Sequence, residues 1–211
     1  MTRPLLLVAA SGLAREVLSV ADALDRPVVA ILDDDAALHG TTVHGVPVAG
    51  ALDAATAHPD AEVLLCAGRG TARRAIAQRL AALGVGADRF ATLVDPSVRI
   101  PRSCTVGAGT ILLAGVVLTA DVTIGRHVVC MPHVVLTHDD VVEDFATLTA
   151  AVALAGGVRV GEAAYLGMNA SVRQGVRIGA DAVLGMGAVL VRDQPPGTTY
   201  TGVPARPITK E

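Results

Sequence analysis

The chain has 211 residues and a formal net charge of −3; 52% of its residues are hydrophobic, only 2% are aromatic, and there is no Trp. A length of this order fits one large domain or two small ones, with a core built from Val, Ala, Leu and Ile. A weakly acidic chain without a basic run argues against nucleic acid or an anionic membrane surface as partner, and no stretch approaches the roughly 20 apolar residues of a membrane span.

The first apolar run, residues 5–9, has the continuous character of a buried parallel strand. The turn Ala10-Ser11-Gly12 follows, then a helix with Leu13, Val17, Val20, Ala21 and Leu24 on one face. Residues 28–32 and 61–66 read as two further strands. The second of these leads through Gly68-Arg69-Gly70 into a helix carrying Ala72, Ile76, Leu80 and Leu83. Strands alternating with helices predict a small parallel α/β domain over residues 1–90, Rossmann-like in class. Its ligand crevice should lie at the carboxyl ends of the strands, where Ser11, Gly12, Asp33, Asp34, Gly68 and Arg69 fall. Gly12 and Asp33 are 21 residues apart, close to the spacing between a glycine turn and a ribose-binding acid. Two of the three fingerprint glycines are absent, which argues against an NAD-dependent oxidoreductase. Simple capping of the first helix by Ser11 is the alternative to ligand contact. The apolar opening has one basic residue before it and a charged helix after it, which reads against a secretory leader. The three cysteines, Cys66, Cys104 and Cys130, read as buried reduced thiols of a cytoplasmic protein.

From Val94 to Leu190 an aliphatic residue or Cys falls on every sixth position, for 17 consecutive hexapeptides. A helix repeats every 3.6 residues and a strand every 2, so an unbroken period of six predicts a parallel β-helix. The position four residues further on is mostly small or β-branched, as a narrow prism interior requires. The β-helix is expected over residues 91–211. No insertion interrupts the count, so no lid is expected, and the segment after Asp193 closes the open end.

One hexapeptide departs from the pattern: Val135-Leu136-Thr137-His138-Asp139-Asp140. Asp140 stands at an inward position, where a carboxylate is costly unless it turns away or is hydrogen-bonded. His138 falls in the outward turn, and a His beside an acid can act as a general base. A solvated surface His is the alternative. A zinc centre needs three convergent ligands; His127 and His133 lie on successive faces, so no metal is expected. His39, His44 and His58 read as loop residues. Met168 and Met186 are 18 residues apart, one coil, and should stack in a column that lines a ligand channel or a subunit contact.

These hexapeptides, followed by Gly202-Val203-Pro204-Ala205-Arg206, resemble the left-handed β-helix acyltransferases. With Leu7-Val8-Ala9-Ala10-Ser11-Gly12, Leu32-Asp33-Asp34, Thr92-Leu93-Val94-Asp95-Pro96-Ser97 and Thr137-His138-Asp139, the chain is similar over essentially its whole length to the PglD/NeuD family of sugar acyltransferases. The resemblance implies a homotrimer with active sites between prisms and acetyl-CoA as co-substrate. It makes His138 the catalytic base, with Asp139 beside it. Gly156 matches the glycine whose N–H holds the thioester carbonyl, and Met168 and Met186 match the pantetheine tunnel. Ala205 and Arg206 lie where the tail approaches coenzyme A. Ser11, Gly12, Asp33 and Asp34 match a nucleotide-sugar pocket. The implied reaction is N-acetylation of a nucleotide-linked 4-amino-deoxysugar. O-acetylation of a sugar or amino-acid hydroxyl, or a non-catalytic nucleotide-sugar-binding scaffold, are the alternatives. Ala9 and Leu13 stand where the family usually has Gly and often has His. Thr147 stands where some members carry a His toward the acyl donor.

Overall fold

The structure, a computed structural model, describes residues 3–208. β1 (Leu5–Val8), β2 (Val28–Leu32), β3 (Thr42–Val43), β4 (Val46–Gly50) and β5 (Glu62–Leu65) form one sheet in the order β3-β4-β2-β1-β5. All neighbours pair parallel except β3 and β4, whose hairpin turns on His44 and Gly45, both at positive φ. The sequence reading did not assign this hairpin. One side of the sheet packs through Leu5, Leu7, Ile31 and Leu64 against α1 (Gly12–Ala23). The other packs through Leu6, Val8, Leu32 and Leu65 against Leu80 of α2 (Gly70–Ala82).

The expected helix faces need correction. Leu24 and Leu83 are exposed C-cap residues, since each helix ends just before them. Ala72 is exposed, and the buried stripe of α2 runs instead through Arg73 and Leu80. The helix turns toward its polar contacts, which its apolar pattern does not encode.

From Thr105 to Leu190, fifteen two-residue strands follow at intervals of six and stack into three parallel five-strand ladders. The inner face (Ile111–Leu112 to Val183–Leu184) also takes in Leu93–Val94 and receives the N-terminal domain: Leu93, Ile111 and Val129 join the cluster around α1. The polar face (Thr105–Val106 to Arg177–Ile178) carries Arg159 and Arg177 outward. The small-residue face (Val117–Leu118 to Val189–Leu190) presents Val117, Val135, Ala153, Ser171 and Val189. The inward positions merge into one continuous core, from Cys104 to Leu190. Each repeat supplies one large aliphatic and one small group, so period six is the packing period of the prism.

One expected repeat fails. Ile100 is 38% exposed and belongs to no strand. Pro101 restricts the residue before it, and no coil lies beyond to pair with this segment. At the other end Thr199–Thr201 pairs with Val183–Leu184, and Arg206–Pro207 folds back on it, covering the last coil. Cys66, Cys104 and Cys130 are buried and free; burial pushes the thiols of Cys66 and Cys130 up to about 12. Among the described residues no helix is long and apolar enough to cross a membrane.

Candidate active site

At every prism edge one residue adopts left-handed backbone, at strict intervals of six from Gly109 to Gly187. Gly, Asp, Asn and His tolerate this region best, and most of these positions carry one of them. This accounts for His127, His133 and Asp139, at φ of 55°, 62° and 63°. The sequence carried this signal, although the aliphatic repeat masked it.

His138 precedes Asp139 on the edge between the small-residue and polar faces. Its Nδ1 lies 2.8 Å from Asp139 Oδ2, and both side chains are more than half exposed. The tautomer that satisfies this bond donates from Nδ1 and leaves the Nε2 lone pair free. One coil on, the ring lies close against Gly156: a Cβ there would sit 2.3 Å from His138 Cε1 and 2.4 Å from Nε2. Gly156 is therefore required by close approach rather than by φ. Its N–H has no acceptor among the described residues, whereas the next N–H, of Gly157, donates to His138 O at 2.8 Å. An open base and an open donor thus stand side by side.

Asp140 is fully buried, as its inward position requires, and is satisfied rather than turned away. Its oxygens accept the N–H groups of Thr137 and Val158, each at 2.8 Å. Burial pushes its carboxyl up to about 6, against the pull of those two N–H donors and of His138.

The remaining predicted residues do not gather around His138 within one chain. Met168 and Met186 stack on the edge between the inner and small-residue faces, 50% and 78% exposed. His133 shares that edge, and His127 occupies the third. The three histidines therefore stand at three different edges, and they form no metal-binding group among the described residues. His127 is buried, stacked on Phe145 and edge-on to Phe90. Burial, followed by the nearby Arg126 and Arg73, pushes its imidazole down to about 4. In the tail, Ala205 is buried with its N–H on Val189 O at 2.8 Å, and Arg206 folds onto Ala205 O at 3.0 Å.

In the N-terminal domain, Ser11 caps α1 by accepting the Ala14 N–H, and its hydroxyl donates to Cys66 O at 2.6 Å. Gly12 begins the helix. Ala9 adopts φ of 81°, a region suited to glycine, and Asp33 accepts the next N–H, of Ala10, at 2.7 Å. Asp34 pairs with Arg79, which holds its carboxyl below the usual range. A cavity of about 110 Å³ opens here between Ala9, Asp33, Asp34 and Ile76.

Gly68 and Arg69 lie instead at the junction of the two domains. Gly68 O accepts from Arg73 and from Thr147, and Arg69 lies over the Tyr165 ring at 5.3 Å. Thr147 is fully buried in this junction on the inner face, away from the His138 edge. The inner face lies across the prism from the His138 edge. Arg73, which sequence reasoning missed, is fully buried and joins the domains through six oxygens.

Comparison with known proteins places this geometry in a family. Residues 157–192 match the hexapeptide repeat of succinyl-transferase. A histidine-to-asparagine variant of the perosamine N-acetyltransferase from Caulobacter crescentus, solved in complex with CoA and GDP-perosamine, superposes with a TM-score of 0.91. It is 31% identical, over 100% of this chain and 99% of that one. The chain belongs to the PglD/NeuD family of hexapeptide-repeat sugar acyltransferases. Another of its relatives is the acetyltransferase domain of PglB from Neisseria gonorrhoeae, with a TM-score of 0.88 and 28% identity over 98% of this chain and 100% of that one. A curated relative, the UDP-N-acetylbacillosamine N-acetyltransferase of Bacillus subtilis, is 38% identical over 56 residues. That match spans 26% of this chain and 24% of the relative's length.

Proposed function

We propose that this member of the PglD/NeuD family is a cytoplasmic enzyme that transfers the acetyl group of acetyl-CoA to the amino group of a nucleotide-linked 4-amino-deoxysugar. The observation that carries the reading is the pairing of His138 and Gly156. A free imidazole nitrogen, oriented by Asp139, lies against a glycine whose N–H has no acceptor among the described residues. As the sugar nitrogen bonds to the thioester carbonyl carbon, His138 Nε2 takes the proton that the nitrogen releases. The Gly156 N–H donates to the carbonyl oxygen, on which charge develops. The C–S bond then breaks, the carbonyl re-forms, and the thiolate takes up a proton. Asp139 stabilises the imidazolium between these two proton transfers.

Residues 91–211 form the acyltransferase unit in this reading, and residues 1–90 hold the acceptor around Ser11, Gly12 and Asp33. That domain covers the inner face, opposite its own His138, so the acceptor reaches the base of a neighbouring copy. Rotationally symmetric packing along the small-residue face would bring the two together. The face is bounded by the His138 edge on one side and the Met168–Met186 edge on the other. Each His138 would then stand opposite a neighbour's exposed methionine column, which suits the thin arm of coenzyme A in a homotrimer. Relatives solved with CoA and GDP-perosamine support both substrate classes.

The test is thiol release from acetyl-CoA against UDP-, dTDP- and GDP-linked 4-amino-sugars. Turnover with one of them is expected, and His138→Ala should lower kcat by about 10²–10⁴ with little change in either KM. Equal turnover in the variant, or none in wild-type protein across the panel, refutes the reading.

A further inference from the structure

At the edge that carries His138 the β-helix departs from its own hydrogen-bond rule. On neighbouring coils the first residue of this turn donates its N–H to a carbonyl of the adjacent coil. Thr119 bonds Leu136 O at 3.1 Å, Ala155 bonds Val172 O at 3.0 Å and Arg173 bonds Leu190 O at 2.9 Å. Thr137 takes a different course. Its N–H donates to Asp140 Oδ2 at 2.8 Å, and its hydroxyl donates to the carbonyl left over, Leu154 O, at 3.0 Å. The other oxygen of Asp140 accepts the Val158 N–H at 2.8 Å. Thr137 adjoins His138, and Val158 lies two residues beyond Gly156. One buried carboxylate therefore ties together the two backbone segments that form the site.

The prism does not need a carboxylate at this position. Val122, Val158 and Val176 fill it on neighbouring coils, all buried. At the equivalent repeat position of another edge, Thr110 has a hydroxyl alone, accepting from Val128 N–H at 3.1 Å and donating to Gly125 O at 2.8 Å. Burying a carboxylate among valines is costly, as its elevated pKa of about 6 indicates. The charged groups bearing on it are His138 and Asp139 of its own turn; the coils on either side present Val122 and Val158. A local cost that the fold does not require points to function.

We propose that Thr137 and Asp140 are positioning residues for His138. They exchange one ladder bond for two side-chain bonds, and so hold the turn that lays the imidazole against Gly156. The inference rests on His138 being the base, as proposed above. Ionised Asp140 accepts both N–H groups; once protonated, one oxygen becomes a donor and an N–H loses its partner.

Asp140→Val restores the residue of the neighbouring coils, so it should fold and unfold thermally at a midpoint no lower than wild type. Amide exchange at Val158, whose N–H then has no acceptor among the described residues, should accelerate about tenfold, the equivalent of one lost charge-assisted hydrogen bond. With acetyl-CoA and the acceptor, kcat should fall about tenfold while both KM values stay within about twofold. Asp140→Thr, which can keep the Val158 bond as Thr110 keeps its counterpart, should free Thr137 and show the same kcat loss. It carries the test if the valine variant does not fold. Unchanged exchange together with unchanged kcat in a folded variant overturns the inference. The exchange measurement needs no substrate. A wild-type protein without acetyl transfer would therefore refute the function above, while the exchange rates still decide whether Asp140 holds the turn.

Discussion

Arg73 offers the sharpest test of how the two domains are joined. Its guanidinium is fully buried without a carboxylate partner, and burial pushes it down to about 10, which leaves it charged at neutral pH. Nε donates to His127 O at 2.9 Å, Nη1 to Ala67 O and Gly68 O at 2.8 and 3.0 Å, and Nη2 to Phe145 O, Ala146 O and Thr147 Oγ1 at 2.8–3.0 Å. Three of these oxygens belong to groups that keep another hydrogen bond. Ala146 O accepts from Val129, Gly68 O accepts from Thr147, and the Thr147 hydroxyl is the donor in that second bond. Arg73→Met keeps the apolar stem and strands the carbonyls of Ala67, His127 and Phe145. At about 1–1.5 kcal/mol each, the loss is about 3–5 kcal/mol. For a chain of this length that is a fall in Tm of about 6–20 °C. Thermal unfolding followed by circular dichroism measures it directly. Arg73→Lys should recover only part, since an ammonium cannot span carbonyls from both domains. A methionine variant within about 2 °C of wild type would show that apolar packing around α1 joins the domains by itself.

Two further outcomes follow from the same geometry. Gly156→Ala puts a methyl group where the His138 ring now lies, and the exposed ring can swing away. We expect kcat to fall by about 10–100-fold with Tm nearly unchanged; full activity would mean the close arrangement is not the reactive one. His127 has its pKa lowered to about 4, so between the ordinary histidine value and 4 the unfolded chain binds the proton more tightly. Stability contributed here is present above the unfolded pKa and is lost as pH falls through this window. His127→Phe, stacked between Phe90 and Phe145, should flatten that loss; urea titrations at pH 7 and pH 4.5 compare the two, and parallel declines would refute it.

The β-helix was legible because a prism interior admits one large side chain every six residues, a constraint each hexapeptide meets locally. His138 stood out as a candidate for the converse reason, since Asp140 violates that constraint beside it. The alternation of apolar strands and helices likewise predicted the parallel sheet, though not its β3–β4 hairpin. What sequence could not supply is which groups meet across distance. Thr147 occupies an ordinary outward repeat position, and only the docking of α2 buries it beneath Gly68 and Arg73. Arg73 sits in a helix whose apolar pattern pointed one residue away. The exchange of the Thr137 ladder bond for Asp140 depends on two coils lying one above the other. Period is set by the environment each residue enters, so it is written along the chain. Partnership is set by closure of the prism and the docking of the first domain on it, so it exists only in the folded molecule.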